Sequence, residues 1–100
     1  LQECGAEVIY VVRSPKRQEE LQKLLSPCPI LVCDVEQQAQ IESVAATISE
    51  QYGTIDGIVH SIAFADYSQG MKPFHETTRT QFLQAVDISC FSLVAIVQAL

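Results

Sequence analysis

Three short stretches carry side chains suited to binding chemistry: Arg13-Ser14, Asp34-Val35 and Ser61-Ile62-Ala63. Arg13 forms a basic cluster with Lys16 and Arg17, the only group of three in a chain of net charge −6. An anionic ligand would therefore be met there. The third stretch belongs to "DGIVHSIAFAD", Asp56 to Asp66. It starts as an apolar strand and leaves the sheet through "SIAFA", with neither glycine nor proline at the turn. An apolar exit of this kind fits a segment that faces a flat, partly apolar ligand instead of water.

Other reactive side chains are less promising. His60 has no nucleophile or carboxylate at useful spacing, and as a strand residue it is expected to point into packing. His75 lies in a polar loop and is expected to be solvated. The four cysteines, Cys4, Cys28, Cys33 and Cys90, form no CxxC pair, which argues against zinc. Cys33 falls in an expected strand and Cys90 in an expected helix. They read as free thiols used as small hydrophobes in a reducing cytoplasm, and no metal is expected.

The elements that must position these residues follow from pattern. "LQECG" reads as a helix tail with Gly5 at its C-cap. Glu7–Val12 is a nearly continuous β-branched run, as a strand covered on both faces would be. Ser14 caps a helix with Pro15 in its first position. Leu21, Leu24 and Leu25 give it an apolar stripe, and "SPCP" ends it. Ile30–Cys33 is a second buried strand, and Asp34 is placed to cap a helix beginning near Glu36. Ile41, Val44, Ala45 and Ile48 recur there at helical spacing, and Gly53 closes it. Gly57–Ser61 is a third strand. After a loop to about Thr77, the last helix is expected to present Phe82, Val86, Ser89, Leu93 and Val97 on one face. Its second half is apolar nearly all round, so burial on more than one side is expected.

Strands alternating with helices imply a parallel sheet with right-handed crossovers, in α/β/α layers. Ligands bind such sheets at the carboxyl ends of the strands. All three stretches lie at that edge. The 100 residues amount to one small domain, and 48% hydrophobic residues imply a packed core. The acidic balance argues against a nucleic-acid partner. No apolar run is expected to span a membrane, and no signal-peptide pattern is seen.

"CDV" after a strand, "GTIDGIVHSIAFA" after a helix, and "FLQAVDISCFSLV" on the last helix resemble the bacterial enoyl-acyl carrier protein reductases. These are divergent members of the short-chain dehydrogenase/reductase family. The likeness runs through all 100 residues, and "HSIAFA" with "DISCFSLVA" carries it most specifically. It implies a Rossmann-like, doubly wound α/β fold, with residues 1–100 as an incomplete dinucleotide-binding domain. The family's glycine-rich phosphate loop and first strand would precede Leu1. Its catalytic tyrosine and lysine would follow Leu100, so no catalytic residue is expected within the chain. Tyr10, Tyr52 and Tyr67 have no lysine at the matching spacing.

The resemblance also implies roles. Asp34 and Val35 would contact adenine, and Ser61, Ile62 and Ala63 would line the nicotinamide ribose and ring. The Ala65 backbone would meet the acyl substrate. Asp87, Ile88 and Ser89 sit where other short-chain dehydrogenases carry a structural-catalytic asparagine, and an aspartate on so apolar a helix needs partners. The turn "VVRSPKR" lacks the acidic residue that often binds the ribose 2′-hydroxyl of NAD. Arg13 and Ser14 would instead meet a 2′-phosphate, which favours NADPH over NADH. The parent protein would be a cytoplasmic homotetramer that reduces enoyl groups linked to acyl carrier protein. The isolated chain is expected to be inactive and poorly folded. A carbonyl-reducing short-chain dehydrogenase and a non-catalytic nucleotide-binding module are the alternatives.

Overall fold

The computed structural model describes residues 1–25 and 27–100; Ser26, in the stretch expected to end the first helix, lies outside the described residues. The chain opens with a single 3-10 turn, Gln2–Cys4. Gly5 stops it at φ 87°, its N–H bonded to the Gln2 carbonyl at 2.9 Å. The cap needs this glycine, because a side chain is strained at that φ.

β1 (Tyr10–Val12) and β2 (Ile30–Val32) pair in parallel, with Tyr10 opposite Ile30 and Val12 opposite Val32. The Cys33 N–H extends the ladder to the Val12 carbonyl at 2.8 Å. Both strands are shorter than their apolar runs. Glu7–Ile9 find no ladder partner, and Val11 is 48% exposed, so β1 is not covered on both faces as expected. α1 (Pro15–Leu24) makes the crossover. Ser14 caps it by accepting the Arg17 N–H at 3.3 Å, and Pro15 takes the first position. Gln18 Nε2 donates to the Ile30 carbonyl at 2.7 Å and ties the helix to β2. Leu21 and Leu25 are half-buried, but Leu24 is 80% exposed, so the expected stripe is narrower by one leucine.

α2 (Gln38–Tyr52) begins four residues beyond Asp34 and has Gln37 at its N-cap, so Asp34 is not the cap. Instead Asp34 Oδ1 accepts the Glu36 N–H at 3.0 Å in a local turn, while the Asp34 N–H donates to Gln40 Oε1 at 2.8 Å. Ile41, Ala45 and Ile48 are buried as their spacing requires, and Gly53 ends the helix at φ 73°.

Gly57–Ser61, expected as a third strand, makes no ladder bonds. A strand exists only through its neighbour, and among the described residues the sheet has two strands. Val59 consequently stands 77% exposed.

The last helix is continuous through three parts: α3 (Arg79–Val86), a π turn at Asp87–Phe91, and α4 (Ser92–Ala99). Thr78 and Gln81 start it with a reciprocal capping box. At 21 residues it is long and apolar enough to cross a membrane, contrary to the expectation that no run would be. It nevertheless packs on α2, where Ala95 joins Cys33 and Ile41 in the core, flanked by Val35, Val44, Ile96 and Ala99. The buried face is Ile88, Ser92 and Ala95, not the expected stripe. Of that stripe only Ser89 is half-buried, while Phe82 and Val97 are 58% and 56% exposed. The π turn shifts the register of the faces. Leu93, Val94 and Leu100 are 40–46% exposed, so the second half of the helix is covered on one side only.

Candidate functional site at the carboxyl ends of the strands

The parallel register sets Arg13 beside Cys33, so Arg13-Ser14 and Asp34-Val35 leave the sheet at the same end. Arg13 is exposed and makes no ion pair among the described residues. Arg17 lies 3.5 Å from Glu20 in an exposed pair, which reduces its share of the expected basic patch. The Ser14 oxygen accepts the helix N–H, leaving its own hydrogen to be donated elsewhere. The Arg13 guanidinium and the Ser14 hydroxyl thus offer donors to an anion.

Asp34 has one oxygen engaged with Glu36, and no hydrogen bond engages the other among the described residues. That oxygen is able to accept from a ligand amino group. Val35, expected against an adenine ring, is half-buried and packs partly on the Cys33–Ile41–Ala95 core. Cys33 is 5% exposed; burial, and secondarily the neighbouring Asp34 charge, raise its thiol pKa.

The 57–66 segment is held by the last helix instead of by a sheet. His60 Nε2 lies 2.8 Å from Ser92 Oγ. Ser89 Oγ meets the Phe64 N–H at 2.9 Å and the Phe64 carbonyl at 3.2 Å. Ser61 and Ala63 are exposed between these anchors, Ile62 is half-buried, and Ala65 is exposed beyond them. His60 therefore packs as expected, but through a polar bond. His75 is exposed, as expected, 4.0 Å from Glu76. Asp87, expected to need partners, is exposed and needs none, while Ser89 and Ser92 on the same helix are the residues that found them. Two serines three apart on an apolar helix were the available signal.

An open groove of about 730 Å³ lies elsewhere, against Ile48, Ser49, Gly53, Gly57, Val97 and Leu100, at the entry of the 57–61 segment instead of its exit. None of the expected binding residues lines it.

The whole chain, residues 1–100, matches the sequence profile described as Enoyl-(Acyl carrier protein) reductase. The chain belongs to that family. It is 40% identical over 97 residues to the NADH-named enoyl-acyl-carrier-protein reductase of Enterococcus faecalis, covering 96% of this chain and 39% of the relative. It is 34% identical over 101 residues to the NADPH-named enzyme of Staphylococcus aureus, covering 96% and 40%. Among solved structures, the Bacillus cereus enoyl-acyl carrier protein reductase, described with NADP+ and an indole naphthyridinone, superimposes with a TM-score of 0.90 at 31% identity. That match covers 99% of this chain and 40% of the other. The enoyl reductase of Aquifex aeolicus gives 0.83 at 28% identity, covering 92% and 41%. The chain thus spans about 40% of the length of its enoyl reductase relatives. The expected Rossmann-type α/β fold is borne out, as an incomplete version with a short parallel sheet.

Proposed function

We propose that the protein of which this chain is part is an enoyl-acyl carrier protein reductase that reduces the trans-2 double bond of enoyl thioesters with NADPH or NADH. The match of all 100 residues to the family profile carries this reading. The residues present fit a dinucleotide. Arg13 and Ser14 offer donors at the end of β1, and Asp34 keeps a carboxylate oxygen for an adenine amino group. Ser61 and Ala63 expose a small-residue surface that backbone-close contact with a flat ring would need.

When bound, the nicotinamide supplies hydride to the β-carbon of the enoyl group. The chain's own part is placement. Asp34 and Val35 hold the adenine end, with Val35 offering only the surface it does not commit to the core. Ser61, Ile62 and Ala63 line the nicotinamide ribose and ring, and the backbone at Ala65 meets the acyl chain of a substrate carried by acyl carrier protein. The basic turn at Arg13 favours NADPH. The exposed apolar surface of the last helix, including Phe82, Leu83 and Val97, is buried between copies in a cytoplasmic homotetramer and spans no membrane.

The deciding experiment uses the full-length protein. It should oxidise its nicotinamide cofactor with a trans-2-enoyl thioester and much less with a 3-ketoacyl thioester. The opposite preference would assign it to carbonyl reduction, and turnover of neither would leave a binding module.

A further inference from the structure

His60 and Phe64 bracket Ser61-Ile62-Ala63, and each is held by a serine of the last helix. The last helix therefore holds both ends of the triplet. Ser89 meets both the N–H and the carbonyl of Phe64 with one hydroxyl, accepting from the first and donating to the second. A residue bonded at both groups on one side has the peptide planes before and after it fixed together, as in a hydrogen-bonded strand pair. Ser89 thus grips Phe64 as a strand neighbour would.

The second anchor lies at the end of the π turn. The Ser92 N–H reaches the Asp87 carbonyl, five residues back, and so bypasses the Ile88 carbonyl. The Ser92 hydroxyl takes that carbonyl at 2.6 Å and leaves its oxygen to meet His60. Two hydroxyls, in and beside one widened turn, thus reach the two ends of the triplet.

We propose that Ser89 is a positioning residue, clamping the Phe64 backbone so that Ser61, Ile62 and Ala63 are presented at a set height to the nicotinamide end of the cofactor. This rests on the reductase reading. Ser92 and His60 hold the other end of the triplet. Ser89 touches neither cofactor nor substrate; it acts through Phe64.

The test compares the full-length protein with Ser89→Ala, Ser89→Cys and Ser89→Thr. Hydrogen exchange at the Phe64 amide reads the clamp directly. Titration with NADPH and NADH, well below the melting temperature, reads its consequence. Losing the bonds should cost about tenfold in Phe64 protection and in dinucleotide affinity for the Ala variant. The Thr variant keeps the hydroxyl and should restore both. A scaffold residue alone would lower the melting temperature without moving the affinity. Should the Ala variant not fold, the Cys variant keeps the size, weakens the bonds and should show the same losses in part. Fast exchange at Phe64 in the unaltered protein would overturn the clamp, and so would unaltered dinucleotide affinity in folded Ala or Cys variants. Failure to reduce an enoyl thioester would sink the reductase reading, while Phe64 exchange and dinucleotide affinity would still decide the clamp.

Discussion

His60 donates through Nε2 to the hydroxyl of Ser92, 2.8 Å away. The direction follows from the single hydroxyl hydrogen. Ser92 Oγ and the Ile88 carbonyl lie 2.6 Å apart, and only the hydroxyl can supply the proton between them. The Ser92 oxygen is then an acceptor, so the Nε2 of His60 carries hydrogen. Ser92 is 1% exposed, which makes the arrangement costly to disturb. In the full-length protein, His60→Phe and Ser92→Ala should each lower unfolding free energy by about 1 kcal/mol. The double variant should lose clearly less than their sum, because both remove one interaction. Denaturant titration of the four proteins measures this, and strict additivity would deny the coupling.

Arg13 tests the choice of cofactor. Arg13→Ala in the full-length protein should weaken NADPH binding about tenfold, in line with the loss of a charged hydrogen bond. NADH binding should stay nearly constant. Equal losses, or tighter NADH binding by the unaltered enzyme, would remove the 2′-phosphate role.

Cys33 should be the slow thiol. It is buried, whereas Cys4 and Cys90 are exposed. Iodoacetamide should label Cys4 of the full-length protein before Cys33. Because burial raises the Cys33 pKa, its contribution to stability is whole below the ordinary thiol pKa and is lost as pH rises through the folded value. Alkaline pH should therefore both destabilise the chain and speed Cys33 labelling. Equal labelling rates for Cys4 and Cys33 at neutral pH would contradict this.

Ile62 and Ala65 test the apolar exit. Ile62→Glu and Ala65→Glu in the full-length protein should each cut kcat/KM for an enoyl thioester at least tenfold, since the charge would be covered, unpaired, when cofactor and acyl chain bind, at a cost of roughly 1.4 kcal/mol or more. Steady-state kinetics decides it; unchanged values for both would take them out of the pocket.

The isolated 100-residue chain should be molten or aggregate. Two three-residue strands form its sheet, and Ile58, Val59 and Phe82 stand exposed. Amide spectra and thermal melts provide the check. A sharp cooperative transition with dispersed resonances would show that the exposed apolar faces are tolerated.

Elements set by near neighbours in the chain were legible without the structure. Gly5 and Gly53 stop their helices because positive φ suits glycine, and Ser14 with Pro15 starts α1 because the cap reaches only three residues. The buried positions of α2 followed from period alone. Family membership was legible too, because "HSIAFA" and "DISCFSLVA" are local strings. Asp34 misled as a helix cap, since a local turn competes for the same carboxylate.

What the sequence determined by itself is what a few adjacent residues can decide: caps, helical period, apolar runs and the two strand exits that β1 and β2 share. Tertiary structure alone turned the last helix to bury Ile88, Ser92 and Ala95, and brought Ser89 and Ser92 onto Phe64 and His60. Those contacts join residues 25 and 32 positions apart. A strand needs a partner, a helix face depends on what packs against it, and a hydroxyl reveals its bond only once the distant group has arrived.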